Sequence, residues 1–340
     1  MMAEKITSLD VARRAGVSQS AVSRVFTPGA SASQKTAEKV RLAAAELGYR
    51  PNVLARSLIT GRSRIIGLVV AYLDNYFYPD ALQKLSHALQ AKGYHVMVFL
   101  ASNTAEDIDA VTSEMLDYQI DGIVAASVSL GSDLAERCHA AGIPLVMFNR
   151  SQEDASLSAV TSANRKGGAQ VAQFFTAHAP EKIGYIAGWE GASTQRDREA
   201  GFRDELSAQG YDIATRTVGD FNMDAARKAA RHMFDTDAPP DAVFVANDHM
   251  AFAVLDVLRS ELGIAVPDDV KIVGYDDVPP AAWPAYDLTT VRQPANRMVA
   301  ETVDILMAAI EQRQTAPKHV EIDGPLIVRG TAPAAKGWTP

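Results

Sequence analysis

The chain has 340 residues, 47% of them hydrophobic and 22% charged, with one cysteine and a formal net charge of −8. That length exceeds one ordinary core and predicts a small domain plus one or two larger ones in a soluble globular protein. The lone Cys138 excludes an internal disulfide or a thiolate metal site and reads as a buried helix residue; no apolar run approaches a membrane span and no signal segment opens the chain, which predicts a cytoplasmic protein with no membrane partner.

The first fifty residues carry dense start and stop signals. Thr7 can cap a first helix, with Asp10 in capping-box position, and that helix runs to about Ala15. Gly16 supplies the positive φ of a sharp turn, and Ser18 caps a second helix over roughly Gln19 to Phe26. Two helices about a glycine turn predict a helix-turn-helix. Val11, Ala12, Ala15, Val17, Val22 and Val25 recur at helical spacing and form a shared core, leaving Gln19, Ser20, Ser23 and Arg24 polar. A third helix, capped by Ser33 and stopped by Gly48, covers the first two. An inert bundle would show the same pattern, and charge decides against it: residues 1–64 hold 11 Lys and Arg against 4 Asp and Glu, or +7, leaving −15 for the rest of a −8 chain. A basic cap on an acidic body is the electrostatic footprint of a DNA-binding head.

Residues 50–64, RPNVLARSLITGRSR, form a linker with one short helix, VLARSL, whose apolar residues could pack on the large domain. From Ile65 on, apolar β-branched runs alternate with helical patterns. IIGLVVAY (65–72), HVMVFL (95–100), GIVAAS (122–127) and PLVMFN (144–149) make one series; KIGYIAG (182–188), RTVGD (216–220), AVFVAND (242–248) and VKIVGYDD (270–277) make a second. Two βαβ series predict two doubly wound subdomains with a cleft between them. After Val291 come a helix to about Arg313 and late strands at VEI and PLIVRG.

Ligands of open α/β sheets bind beyond the carboxyl ends of the strands. That rule selects Tyr72 to Phe77, Asn149 and Arg150, Gly188 to Arg198, Asp220 and Phe221, Asn247 and Asp248, and Tyr275 to Asp277. Aromatic faces mixed with amides, carboxylates and arginines suit polyols, whose hydroxyls both donate and accept. Asp248 is explained as an N-cap, and His249 as a solvated helix residue. No strand precedes GxGxxG, no Walker loop is present and the seven histidines are scattered, so no enzyme, cofactor or metal site is expected.

LDVARRAGVSQSAVSRVF, the helix end Glu46-Leu47-Gly48-Tyr49, Pro51-Asn52, VLARSL, GYDD at 274–277 and LTTVRQP at 288–294 together resemble the lactose-repressor and galactose-repressor family of bacterial transcription regulators over nearly the whole chain. The resemblance implies a helix-turn-helix head over 1–50, a hinge helix and linker over 51–63, and a periplasmic-binding-protein-like core. That core would have an N-subdomain over 64–162 with about 291–320, a C-subdomain over 163–290 with about 321–332, and a tail over 333–340. It implies DNA contacts by Thr7, Ser18, Gln19, Ser20, Ser23 and Arg24 in the head and Asn52, Ala55 and Leu58 in the linker, Leu58 standing where the family's hinge leucine wedges into the minor groove. One head covers a half-site, so a homodimer on a pseudo-palindromic operator is expected.

For the effector the family points to Arg198, Asp276 and Asn247, with Phe221 as a stacking aromatic and Asn149 at a common aspartate position; Tyr72, Asn75 and Phe77 complete the expected set. Asp276 could instead only cap a turn, and Phe221 could be core. Ala71 departs from the family's pattern, as Asn149 does. Arg198 and Asp276, opposite in charge, predict a small neutral sugar or sugar derivative as the ligand of a sugar-operon repressor. A two-lobed solute-binding protein would share the body but not the basic head.

Overall fold

The computed structural model describes residues 6–27, 30–50, 62–101, 105–126, 132–152, 156–312 and 316–338. The chain divides into two compact units, Met1–Arg64 and Ile65–Pro340.

In the first unit α1 (Ser8–Ala15), α2 (Gln19–Phe26) and α3 (Gln34–Leu47) follow the local signals closely. Asp10 accepts from the Thr7 amide (3.0 Å) and hydroxyl (2.6 Å), Ser18 accepts from the Ala21 amide (3.3 Å), and Ser33 from the Thr36 amide (3.2 Å). Gly16 and Gly48 end their helices at φ 67° and 66°, the left-handed geometry glycine adopts without strain. Val11, Ala12, Val22, Val40, Ala43 and Ala44 make the core, flanked by Phe26 against Tyr49 at 6.0 Å.

The second unit contains two six-stranded sheets. The first half supplies β1 (Ile65–Val70), α4 (Phe77–Ala91), β2 (His95–Leu100), α5 (Ala105–Asp117), β3 (Gly122–Ala126), α6 (Ser132–Ala140), β4 (Leu145–Phe148) and β5 (Ser158–Ser162). The second half supplies α7 (Asn164–Thr176), β6 (Ile183–Ala187), α8 (Ser193–Ala208), β7 (Ile213–Val218), α9 (Met223–Phe234), β8 (Ala242–Val245), α10 (Asp248–Asp256), β9 (Lys271–Asp276) and β10 (Thr289–Arg292). The tail adds α11 (Ala295–Gln312), β11 (His319–Ile322) and β12 (Leu326–Ile327). Sheet order is β11-β5-β4-β3-β1-β2, all parallel, and β12-β10-β9-β8-β6-β7, parallel except for β10 with β12. β3, β4 and β6 are buried at every residue, as helices on both faces of a parallel sheet require. Among the described residues no helix is long and apolar enough to cross a membrane.

Three details depart from the sequence pattern. A strand at Ser158–Ser162 is not predicted, yet SAVTS pairs with β4 on one side and β11 on the other. The strand expected at 216–220 instead covers Ile213–Val218, because Asp220 and Phe221 take φ 52° and 54° and leave the extended region. Finally, β10 holds the second sheet to Arg292, beyond the expected 290, while β11 keeps the chain in the first sheet to Ile322, beyond 320. The chain therefore passes between the lobes after β5, after β10 and after β11, and α11 packs back on α4 and the first sheet.

Candidate functional site

The exposed face of α2 presents Gln19, Ser20, Ser23 and Arg24, with Ser18 at its cap. Ser18 and Ser20 share a hydroxyl hydrogen bond (3.0 Å), and the Gln19 amide donates to the Ser8 hydroxyl (2.9 Å), which ties the start of α2 to α1. Arg24 is exposed and makes no ion pair among the described residues, so its guanidinium is free for another partner. Thr7 serves the capping box, and its hydroxyl holds the Asp10 carboxyl below the usual range. Asn52, Ala55 and Leu58 lie outside the described residues.

In the core, polar groups from several strand ends converge on Arg198, which is 2% exposed. Its position depends on two glycines. A Cβ on Gly201 would lie 1.8 Å from the Arg165 carbonyl oxygen, and one on Gly168 would lie 2.1 Å from the Arg198 carbonyl oxygen. Only glycine permits α7 and α8 to approach this closely, and the approach brings Asn164 to Arg198. Arg198 Nε donates to Asn164 Oδ1 (2.9 Å), Nη1 to the Ala246 carbonyl (2.6 Å) and Nη2 to Asp276 Oδ1 (3.4 Å), while the guanidinium lies 3.7 Å from the Tyr275 ring centroid.

Asp276, 4% exposed, also accepts from Gln293 Nε2 (2.6 Å) and is hydrogen-bonded by Asn75. Burial pushes its carboxyl up, and the Arg198 guanidinium opposes that most strongly. Asn75 in turn accepts from the Phe77 amide (3.1 Å). A cavity of about 440 Å³ opens over Phe77, Asp276 and Gln293.

Tyr78 links the remaining residues of the first lobe. Asn149 Nδ2 donates to its hydroxyl (3.1 Å), and Phe77 and Tyr72 each meet its ring edge-on at 5.4 Å. Phe77 stacks on Phe148 (6.2 Å). Arg150, 3% exposed, donates from Nη2 to the Tyr72 hydroxyl (2.9 Å). Phe221 packs elsewhere, on Gly188, where an added Cβ would come within 2.2 Å of its ring. It is buried at 8% exposure just beyond the end of β7.

Two expectations are corrected at the start of α10. Asn247, not Asp248, is the N-cap, since its Oδ1 accepts from the Met250 amide (3.0 Å). Asp248 is drawn inward by the Val278 amide (3.0 Å) and the Thr290 hydroxyl (2.6 Å). His249 is buried at 4% exposure, because α10 is covered on every side from Asp248 to Leu255; its Nε2 lies 3.7 Å from Asp74. Cys138 is buried as expected, and burial pushes its thiol up to about 11.

Sequence reasoning missed Gln293 and Asn164. Each lies just beyond a strand that the pattern does not reveal, Gln293 after β10 and Asn164 after β5, so the strand-end rule had no strand to act on.

A helix-turn-helix head on a core of two parallel-sheet lobes, with a buried polar site at their facing strand ends, defines an effector-controlled DNA-binding regulator. Residues 7–52 match the family described as bacterial regulatory proteins, lacI family, and residues 172–332 match the periplasmic binding protein-like domain. The chain is 32% identical over 328 residues to the HTH-type transcriptional regulator CelR of Thermobifida fusca, covering 94% of this chain and 96% of that protein. Among solved structures it resembles the lac repressor dimer bound to operator and the anti-inducer ONPF (TM-score 0.87, 26% identity, 97% of this chain and 100% of that one). It also resembles the CelR-cellobiose complex (TM-score 0.73, 29% identity, 96% and 100%). The chain belongs to the lacI family of bacterial transcription regulators. These relatives are regulators of transcription.

Proposed function

We propose that this protein is a cytoplasmic repressor of a sugar-utilisation operon that binds a pseudo-palindromic operator as a homodimer and is controlled by a sugar-class effector in the cleft. The observation that carries the reading is the convergence of Asn75, Arg198, Asp276 and Gln293, from both lobes and a crossover, on one buried site rich in donors and acceptors. That the CelR neighbour was solved with cellobiose supports a sugar over other small molecules. Val98 and Leu100, 47% and 62% exposed on the edge strand β2, supply apolar surface that a second copy would cover.

On the DNA side Gln19, Ser20 and Arg24 read bases, Thr7, Ser18 and Ser23 hold phosphates, and Asn52, Ala55 and Leu58 act in the linker. The test is selection of binding sites from random DNA, followed by fluorescence-anisotropy titration and light scattering. A two-fold symmetric site bound by two chains is expected. Arg24→Ala should cost roughly 1 to 3 kcal/mol at one base position. An equal loss on selected and random DNA would make Arg24 a phosphate contact, and a monomer bound with full affinity to an asymmetric site would sink the dimer.

A further inference from the structure

The buried charges of the cleft do not balance once they are paired off; Asp74 and Asp220 are exposed to solvent. Arg198 and Asp276 face each other at 3.4 Å. Asp248 spends its oxygens on Val278 and Thr290, and burial, followed by the nearby Asp276, pushes its carboxyl well above the usual range. Arg150 is left over.

That arginine is 97% buried by its 3% exposure, and neither its Nε nor its Nη1 has a hydrogen-bond partner. Among the described residues it forms no ion pair. Its guanidinium lies 5.4 Å from the Trp189 ring centroid and 6.0 Å from that of Tyr72. Rings interact with the face of a guanidinium, whereas its N–H donors lie in the plane and need acceptors. A buried cation left without them is costly.

Its neighbours point the same way. Asn149 carries no charge to offset Arg150, and its Oδ1 is a buried acceptor without a partner. Arg150 follows β4 of the first lobe, its guanidinium reaches the Trp189 ring of the second, and the next residue, Ser151, donates its amide to Ser193 Oγ of the second lobe (3.0 Å), so the arginine lies between the lobes.

We infer that the cleft takes a sugar acid: a polyhydroxylated ligand with one carboxylate, bound by the free N–H groups of Arg150 while Asn149 Oδ1 accepts from an adjacent hydroxyl. This rests on the cleft being the effector site. It replaces the neutral ligand expected from Arg198 and Asp276, because those two groups satisfy each other. One uncompensated buried positive charge matches one carboxylate. A phosphate monoester, at about −1.5 to −2, would leave surplus negative charge near Asp276.

The full-length protein should be titrated calorimetrically with D-glucuronate, D-galacturonate and D-gluconate, with D-glucose and D-galactose, and with D-glucose 6-phosphate. At least one acid should bind about tenfold or more tighter than its neutral parent. Arg150→Met should erase that difference and leave the melting temperature of the ligand-free protein unchanged or raised, since an unpaired buried charge has been removed. Neutral sugars matching the acids, the phosphate outranking them, a panel without any binder, or a preference that survives Arg150→Met would each overturn the inference. Failure of the cleft reading has a separate signature: acids would bind wild type and Arg198→Met alike, placing their site elsewhere.

Discussion

Replacing Arg198 by Met keeps most of the side-chain volume and removes a buried charge that donates to Asn164, the Ala246 carbonyl and Asp276. The Arg198–Asp276 pair has 2% side-chain exposure on both sides, so solvent cannot take over the lost partner. Asn164 Oδ1 and the Ala246 carbonyl would lose their donors as well. Breaking a buried pair from one side costs about 3 to 5 kcal/mol. At roughly 2 to 4 °C per kcal/mol for a domain of this size, the melting temperature should fall by roughly 6 to 20 °C. The orphaned Asp276 would protonate, so the deficit should shrink as pH is lowered; a carboxyl whose folded pKa is raised loses stability only as pH rises through that value. Adding Asp276→Asn should restore about 0.5 to 3 kcal/mol, because the buried charge is then gone on both sides. Calorimetric melting of the two single variants and the double variant gives the coupling directly. A loss below about 1 kcal/mol for Arg198→Met, or strict additivity in the double variant, would show that the pair is not what holds these strand ends together.

Three further outcomes follow from the same geometry. Gly201→Ala should destabilise the core by about 3 kcal/mol or more, measured by chemical denaturation, since its Cβ would meet the Arg165 carbonyl oxygen at 1.8 Å and two helices would have to separate. Gly188→Ala should displace the Phe221 ring, which an added Cβ would approach to 2.2 Å, at a cost of about 1 to 3 kcal/mol; an unshifted melting curve would show that the ring moves freely. His249 has its pKa lowered from the ordinary 6.5, by burial first, against the pull of Asp74. Its contribution to stability is therefore complete above 6.5 and lost as pH falls through the folded value, and His249→Gln should flatten melting temperature against pH in that acid range.

The head was legible because its signals are local. Thr7, Ser18 and Ser33 each act within a few residues, and Gly16 and Gly48 end helices for reasons their own backbone dictates. Strand ends were legible where an apolar run announced the strand, which located Asn75, Asn149, Arg198 and Asp276. Ser158–Ser162 ends in the polar pair Thr161 and Ser162 and is a strand only because β4 and β11 bracket it, so Asn164 stayed hidden. The exchange of roles between Asn247 and Asp248 has the same origin. Both side chains can cap α10, and the choice is made by Val278 and Thr290, thirty and forty-two residues further along the chain. Nor can a sequence show that Arg150 lacks a counter-ion, since that depends on every acidic residue the fold could have brought to it.

The strained backbone of the cleft explains how these side chains are held. Asn149, Asp220, Phe221, Asp276 and Asp277 all have positive φ, from 52° to 124°, and all lie at or just beyond strand ends facing the cleft. Glycine would relieve the strain at each, which is on the order of 1 to 3 kcal/mol per residue, but would delete the side chain. For Asp276 the surrounding bonds from Arg198, Gln293 and Asn75 hold the residue in this conformation. The same bonds connect the lobes. Asn75 to Asp276, Ser151 to Ser193 (3.0 Å) and Arg150 over Trp189 each reach from the first lobe to the second. A ligand entering the cleft must use or replace these contacts, so its affinity depends on the separation of the lobes. By linkage, a ligand bound there as proposed would shift the population of lobe arrangements, which is what the proposed control requires.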